Sequence, residues 1–290
     1  MHVPSIEVHK AATLEEASAL LGRFSPDVRL LAGGTDVLVD LKTARYAVAH
    51  LVALGGITKL RGVTQERDGL RIGALTTVTE LDRSALISGA YAALRDATHQ
   101  MATPQVRNAA TVGGNVAGAV PCADLPPILI AMNSTAVLAS AKGERTVQLE
   151  ELILGPRKTI LRNDELLAAI KVPTPPARSG AAYARFGLRE ANSIAVAGVA
   201  VALALNDDQT VKSARIALCA VAPVPKLAKA AARLLVGRVL DEGICAQAAA
   251  AAMDEAEPIS DLRGSADYRR ELVATLTRRA LAAARQRLGR

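Results

Sequence analysis

Apolar positions along the chain change period several times, and each change marks an element. Leu14, Ala17 and Leu21 recur at helical spacing behind Thr13-Leu14-Glu15-Glu16. That tetrad is a capping box, so a helix is predicted from Thr13 to about Leu21. The run Val28 to Ala32 reads as a strand ending at Gly33-Gly34-Thr35-Asp36; Val37 to Lys42 follows, then a second strand at His50 to Leu54. The chain thus opens with a small α/β unit. Leu70 to Leu75 predicts a further strand leading into the helix start Thr76 to Leu81, and Tyr91 to Met101 a helix. Pro104 and Gly113-Gly114 predict a long loop, and Asp124-Leu125-Pro126-Pro127 a new helix with proline in its first turn. Thr135 to Ser140 and Glu144 to Leu149 form a hairpin about Lys142-Gly143, followed by a strand at about Leu166 to Val172.

Pro173 to Gly180 is the clearest linker. It divides a first domain, residues 1–175 with parts of about 1–55 and 56–175, from a second, residues 176–290. Past it the pattern becomes long apolar strands, Ile194 to Leu205 and Val211 to Val221, about the turn Asn206 to Gln209. Ala-rich helices then run over about Pro225 to Leu235, Asp241 to Glu255 and Ser265 to Leu288. The fold class is α+β.

Composition changes this picture in two ways. Among 290 residues half are hydrophobic, but Trp is absent and only two Phe and four Tyr occur, so the core is built of Ala, Val, Leu and Ile. The formal net charge is +7. Basic nucleic-acid modules add stacking aromatics or a basic block; neither is present, so nucleic acid is not an expected partner. The densest basic stretch, Arg269 to Arg290, reads as a solvated helix face or as a docking surface for an acidic subunit. Met1 to Ser5 has no charged region followed by an apolar one, so no signal peptide is expected. The longest apolar stretch is too short for a bilayer, and a cytoplasmic location is expected.

Candidate chemistry is sparse. Cys122, Cys219 and Cys245 are odd in number and show no paired spacing, and the histidines at 2, 9, 50 and 99 form no HxxxH or HExxH pattern, so no metal ligands are assigned. Cys122, after Pro121, is either a reactive loop thiol or a small buried one, and His99 a packing or surface histidine. No Ser–His–Asp or Cys–His set is indicated and no catalytic residue is assigned, which suggests that a cofactor does the chemistry. Two glycine segments stand out, Leu31 to Asp36 and Thr111 to Asn115. Paired glycines allow positive φ and close approach to backbone amides, which can form an anion-binding nest; Thr35 or Thr111 adds a hydroxyl. Two such segments suit a pyrophosphate held from both sides, but neither matches the GxGxxG or P-loop patterns.

The two segments, in this order and separation, resemble the flavin-binding medium subunit of the molybdenum hydroxylases, the family of xanthine dehydrogenase and bacterial carbon monoxide dehydrogenase. The landmarks are LAGGTDVLVDLK from Leu31, LRIGALTTVTEL from Leu70, ATPQVRNAATVGGN from Ala102, PCADLPPILIAM from Pro121, YARFGLREANSIAVAGVA from Tyr183 and DLRGSADYRREL from Asp261. The resemblance implies a two-part α/β FAD-binding domain of the vanillyl-alcohol-oxidase (PCMH) type and a smaller C-terminal domain with an antiparallel sheet and helices. In wording the N-terminal half is similar to the β subunit of 4-hydroxybenzoyl-CoA reductase, without that subunit's iron–sulfur insertion after the GGN segment.

The resemblance also implies a site. Leu31, Ala32, Gly33, Gly34, Thr35, Asp36 and Val37 would cradle the FAD pyrophosphate, and Thr111, Gly113, Gly114 and Asn115 would clamp it from the other side. Asp124 would meet the adenosine-side ribose or a polar neighbour, Leu161 would lie beside the flavin and Met101 near the adenine. Arg185 would stand where relatives carry a lysine near the isoalloxazine, and Thr76 and Thr77 would line the same cleft. The implied role is FAD-bound electron transfer to an external acceptor. Partner subunits would carry molybdopterin and 2Fe–2S clusters in a dimer of three-subunit units, a heterohexamer. The alternatives are a stand-alone FAD oxidoreductase, an interaction subunit without flavin, and a basic nucleic-acid binder.

Overall fold

A computed structural model describes residues 5–288; the expectations for His2, for the Met1–Pro4 end and for Arg290 lie outside the described residues. In chain order the elements begin with β1 (Glu7–Lys10), α1 (Leu14–Phe24), β2 (Val28–Leu31), α2 (Val37–Lys42), β3 (His50–Ala53), β4 (Val63–Glu66) and β5 (Gly69–Gly73). Next come α3 (Val78–Arg83), α4 (Ala93–Gln100), α5 (Pro104–Ala109), α6 (Val112–Ala117) and α7 (Leu125–Ala131). They are followed by β6 (Thr135–Ser140), β7 (Gly143–Gln148), α8 (Leu149–Leu152), β8 (Ile153–Gly155), β9 (Lys158–Thr159) and β10 (Leu166–Pro173). The C-terminal part holds β11 (Ser179–Gly187), β12 (Ala195–Leu205), β13 (Val211–Cys219), β14 (Lys226–Leu227), α9 (Lys229–Leu235), α10 (Glu242–Asp254) and α11 (Ala266–Gln286).

Three main sheets organise these elements. A parallel sheet has the order β1-β3-β2, an antiparallel sheet the order β4-β5-β10-β6-β7, and a second antiparallel sheet the order β11-β12-β13-β14. The first two share one core: Ala17 and Leu21 of α1 and Val52 of β3 pack with Val137, Ala139 and Leu166 of the larger sheet. The opposite face of that sheet (Ile72, Leu138, Ile170) is covered by α3, α4, α6 and α7. All of α7 is buried, because Ala200 and Ala217 of the C-terminal sheet press on it from the far side. The alternate residues Val199, Val201 and Leu203 point the other way, into a second core with α9, α10 and α11. Burial on both faces explains why β12 reads as an unbroken apolar run rather than as alternation.

Four expectations are corrected here. The stretch around Pro104 and Gly113-Gly114 is two short helices, not a loop. Thr103 caps α5 with proline behind it, and Thr111 caps α6, its Oγ1 accepting from the Gly114 N–H at 3.0 Å. Each N-cap satisfies a first-turn backbone donor, Val106 N–H in α5 and Gly114 N–H in α6, and in α6 this offsets the poor helix propensity of glycine. Lys226–Leu227 is a short strand on β13, so the helix expected from Pro225 starts at Lys229. The Thr13 box is half-formed: Thr13 accepts from Glu16 N–H, but the Glu16 carboxylate reaches Ala12 N–H. The full box lies at Thr77 and Glu80 of α3. Finally, Arg269 cannot serve a docking surface. It is 1% exposed and donates to Asp261 and to the carbonyls of Val196 and Ala220.

Candidate functional site

β2 delivers the first glycine segment. Leu54 N–H donates to Leu31 O and ends the strand pairing, and the chain turns through Ala32 to Asp36 into α2. Gly34 has φ of +77°, a conformation open to glycine at little cost. Gly33 is required for a different reason. A Cβ built on it would lie 1.9 Å from Ala109 O and 3.2 Å from Ala110 Cα, so the first segment touches the backbone that joins α5 to α6. A Cβ on Gly118, just past α6, would stand 3.8 Å from Asp36 Oδ2. The two glycine segments, some eighty residues apart in the chain, therefore form one continuous surface.

The second segment is braced from behind. Val78 N–H donates to Ala110 O, Val112 N–H to Thr76 O and Gly113 N–H to Ala74 O, at 2.8–2.9 Å. A Cβ on Gly113 would meet Ala74 Cβ at 2.5 Å, so this glycine serves packing. Gly114 differs: it is exposed, and a Cβ there would meet only the capping Thr111 Oγ1. Thr76 is fully buried with its hydroxyl donated to Gly62 O, and Thr77 Oγ1 is occupied in capping α3; both stand behind the glycine surface.

A strut links the segments. Arg157, at φ +60° beyond β8, donates to Asp40 of α2 at 2.6 Å, while its backbone N–H donates to Ala119 O beyond α6. Asp40 is 5% exposed and also pairs with Arg45 at 3.1 Å. Neither Asp40 nor Arg157 was anticipated; only long-range geometry reveals the pair. Val37 opens α2 half-buried, and Leu161 lies half-buried beyond β9 against the main core.

A second polar knot adjoins α6. Asn115 Oδ1 accepts from Leu125 N–H at 3.3 Å, its Nδ2 lies 4.0 Å from Met101 Sδ, and Met101 O accepts from Arg107. Asp124, 6% exposed, accepts from Tyr183 Oη at 2.8 Å and from Arg185 at 3.0 Å. Arg185 is equally buried and also donates to the carbonyls of Gln100 and Ser193. Its guanidinium is thus committed to the seam between α4, α7 and β11. Desolvation pushes the Asp124 carboxyl above the ordinary carboxylate range, against the pull of Arg185 and the Tyr183 hydrogen bond. Tyr183 was not foreseen as a polar partner; a lone tyrosine in an Ala-rich strand of an aromatic-poor chain was the available signal.

The remaining groups do not make a catalytic set. Burial pushes the half-buried Cys122 thiol up, opposed by Arg263, so it is not an activated nucleophile. His99 is an exposed histidine bound to Asp82 at 3.0 Å.

Residues 4–175 match the family described as the FAD binding domain in molybdopterin dehydrogenase. This chain belongs to that family. Residues 181–284 match the CO dehydrogenase flavoprotein C-terminal domain. The carbon monoxide dehydrogenase medium chain of Hydrogenophaga pseudoflava is 35% identical over 281 residues, covering 97% of each chain. The xanthine dehydrogenase FAD-binding subunit of Escherichia coli O157:H7 is 32% identical over 278 residues, covering 95% of this chain and 94% of that one. Among solved structures, carbon monoxide dehydrogenase from Hydrogenophaga pseudoflava superposes with a TM-score of 0.95 at 36% identity over 99% of this chain and 100% of that one. Quinoline 2-oxidoreductase from Pseudomonas putida 86 gives 0.91 at 29%, covering 99% of both. The geometry fits a dinucleotide flavin: a glycine-only contact joins two backbone segments, and the exposed face of Gly114 leaves room for a ligand against the amides.

Proposed function

We propose that this chain is the FAD-bearing electron-transfer subunit of a multi-subunit molybdenum hydroxylase. The observation that carries the reading is the fusion of two glycine segments into one backbone surface at Gly33 and Ala109. Ala32, Gly33, Gly34, Thr35 and Asp36 would hold the FAD diphosphate from one side, and Thr111, Gly114 and Asn115 from the other. Bound FAD supplies exchange of either one or two electrons, the property needed between one-electron clusters and a two-electron donor or acceptor. The protein's own residues position the cofactor. Arg157 and Asp40 keep the two segments in register, the Thr111 cap orients the first turn of α6, and Met101 and Asn115 close the adjoining wall.

In this reading the acidic and basic groups of the Asp124–Tyr183–Arg185 knot are positioning residues. They fix α7 and β11 beside the site rather than exchange protons with a substrate. The FAD-binding part is residues 1–175, and residues 176–290 form the second domain. The partners are a large molybdopterin-binding subunit and a small 2Fe–2S subunit, assembled as a dimer of heterotrimers in the cytoplasm. No helix among the described residues is long and apolar enough to cross a membrane.

The test is to isolate the native assembly through this chain and record its visible spectrum, metal content and subunits. Flavin, iron and molybdenum eluting with one large and one small partner support the reading. A lone flavin-bearing chain that turns over a substrate by itself overturns it.

A further inference from the structure

The four histidines show no metal-ligand spacing along the chain, yet strand pairing gathers two of them. β1 and β3 are parallel neighbours with Glu7 opposite His50, and His9 projects on the same face of β1 as Glu7, two residues on. His9 Nε2 lies 3.1 Å from His50 Nδ1, His50 Nδ1 lies 3.5 Å from Glu7 Oε2, and His9 Nδ1 lies 3.8 Å from Glu7 Oε1. In a tetrahedral zinc site with bonds near 2.0–2.1 Å, ligand atoms stand about 3.3 Å apart. Taking one ligand atom from each residue, the three atoms lie within 4.8 Å of one another, and the exposed Glu7 carboxylate is the group that can swing in to reach tetrahedral spacing.

The surroundings hold that spacing. Phe24, the last residue of α1, stacks on His50 at 3.9 Å and on His9 at 4.7 Å between ring centroids, and the two imidazoles are 5.3 Å apart. That triangle places both imidazoles side by side against Phe24 rather than on opposite faces of it. The imidazoles are mostly buried, whereas the Glu7 side chain is 66% exposed, which leaves solvent access for a water ligand.

We propose that Glu7, His9 and His50 form a binding site for one zinc-class divalent cation, with water completing the tetrahedron. Two imidazoles and one carboxylate with a water are an established zinc donor set, and the same donors also take ferrous, nickel and cupric ions, the other members of that class. Glu7, His50 and Val28 mark the starts of the three parallel strands, whereas the glycine segment leaves the end of β2. The ion would therefore cross-link β1 to β3 and would not touch the cofactor surface.

The test uses the full chain with Cys122→Ser and Cys245→Ser, so that partly exposed thiols do not compete, stripped with a chelator and titrated with zinc chloride against a chromophoric chelator. One equivalent should bind and raise the melting temperature. The double variant His9→Gln, His50→Gln should weaken binding by at least about a hundredfold, since even outer partners of zinc ligands are worth ten- to a hundredfold. Glu7→Gln, on the exposed rim, should fold normally and weaken binding about tenfold. Flavin content should stay unchanged in every folded variant. Equal zinc affinity in the parent and in Glu7→Gln or the histidine variant, or less than one equivalent bound, overturns the proposal.

Discussion

The buried pair of Asp124 and Arg185 shows how residues beside the proposed cofactor surface can serve the fold. Both side chains are under a tenth exposed, so removing one charge strands the other. Asp124→Asn should cost about 3 kcal/mol for that reason. The triple variant Asp124→Leu, Tyr183→Phe, Arg185→Met should regain much of the loss, because it removes both buried charges and the hydroxyl that Asp124 accepts from. Urea melts of the three chains check this; no recovery in the triple variant would show that the pair contributes net stability beyond offsetting its own desolvation. Glu165 gives a second prediction. Its carboxylate accepts two hydrogen bonds from Arg145, at 2.7 and 2.8 Å, and its pKa is lowered to about 2. A lowered folded pKa contributes stability that is complete above the ordinary value and lost as pH falls from about 4.5 toward 2. The parent should therefore lose about 1–2 kcal/mol more than Arg145→Met across that window, since the Arg162 N–H holds part of the lowering in both, measured as the pH dependence of unfolding free energy. The glycines separate cleanly. Gly33→Ala drives a Cβ into the Ala109 carbonyl and should destabilise the chain by about 1–3 kcal/mol. Gly114→Val meets only the capping Thr111 hydroxyl, at 2.8 Å, so its cost should stay near the roughly 1 kcal/mol of a lost cap while flavin retention is abolished. Full flavin content in Gly114→Val would remove that residue from the proposed site.

At the scale of elements, α6 carries the larger lesson about reading sequence. Gly113-Gly114 looked like a loop because glycine is a poor helix former, yet the pair occupies the first turn of a helix. What overrode propensity was the Thr111 cap together with three backbone bonds shared with Ala74, Thr76 and Val78, partners contributed by the distant segment that runs from the end of β5 into α3. Local features were legible: the helix start around Thr77, the hairpin of β6 and β7, and helices beginning near Asp241 and Ser265 all follow from short-range chemistry. Contacts across the fold were not. Strand register alone brings His9 to His50, and nothing in the local sequence announces Arg157 against Asp40. The site was legible as two glycine segments and their order, but not as one surface, because their meeting depends on a missing side chain at Gly33. Thr111→Ala tests the α6 argument. It should cost about 1 kcal/mol in urea unfolding and weaken flavin retention, because an uncapped first turn frays where the ligand would sit. A stability loss with flavin retention unchanged would show that the turn is held by its strand contacts alone.

At the scale of the whole molecule, the two parts of the chain are tied at α4 as well as through the shared core around α7. Asp96 of α4 accepts both guanidinium nitrogens of Arg287, at 2.6 and 2.8 Å, and the backbone N–H of Tyr183 at 3.1 Å. Arg287 also donates to Ala181 O, so the end of α11, the strand β11 and the helix α4 close on one carboxylate. The linker between β10 and β11 is short and proline-rich, so it limits how far the parts can separate but supplies no packing of its own. The tie is charge-assisted and bidentate, the geometry in which an ion pair is worth more than a lone surface contact. Asp96→Ala should therefore cost about 1–3 kcal/mol, since it leaves Tyr183 N–H without its carboxylate acceptor and Arg287 with only the Ala181 carbonyl. Because Tyr183 continues to Asp124, the change should also loosen the knot beside the glycine surface. Hydrogen exchange should then quicken at Ala181 to Tyr183 and at the last turn of α11, while α1 and the parallel sheet keep their protection. Uniform acceleration across the chain would mean instead that the two parts unfold as one unit and that the tie has no local function.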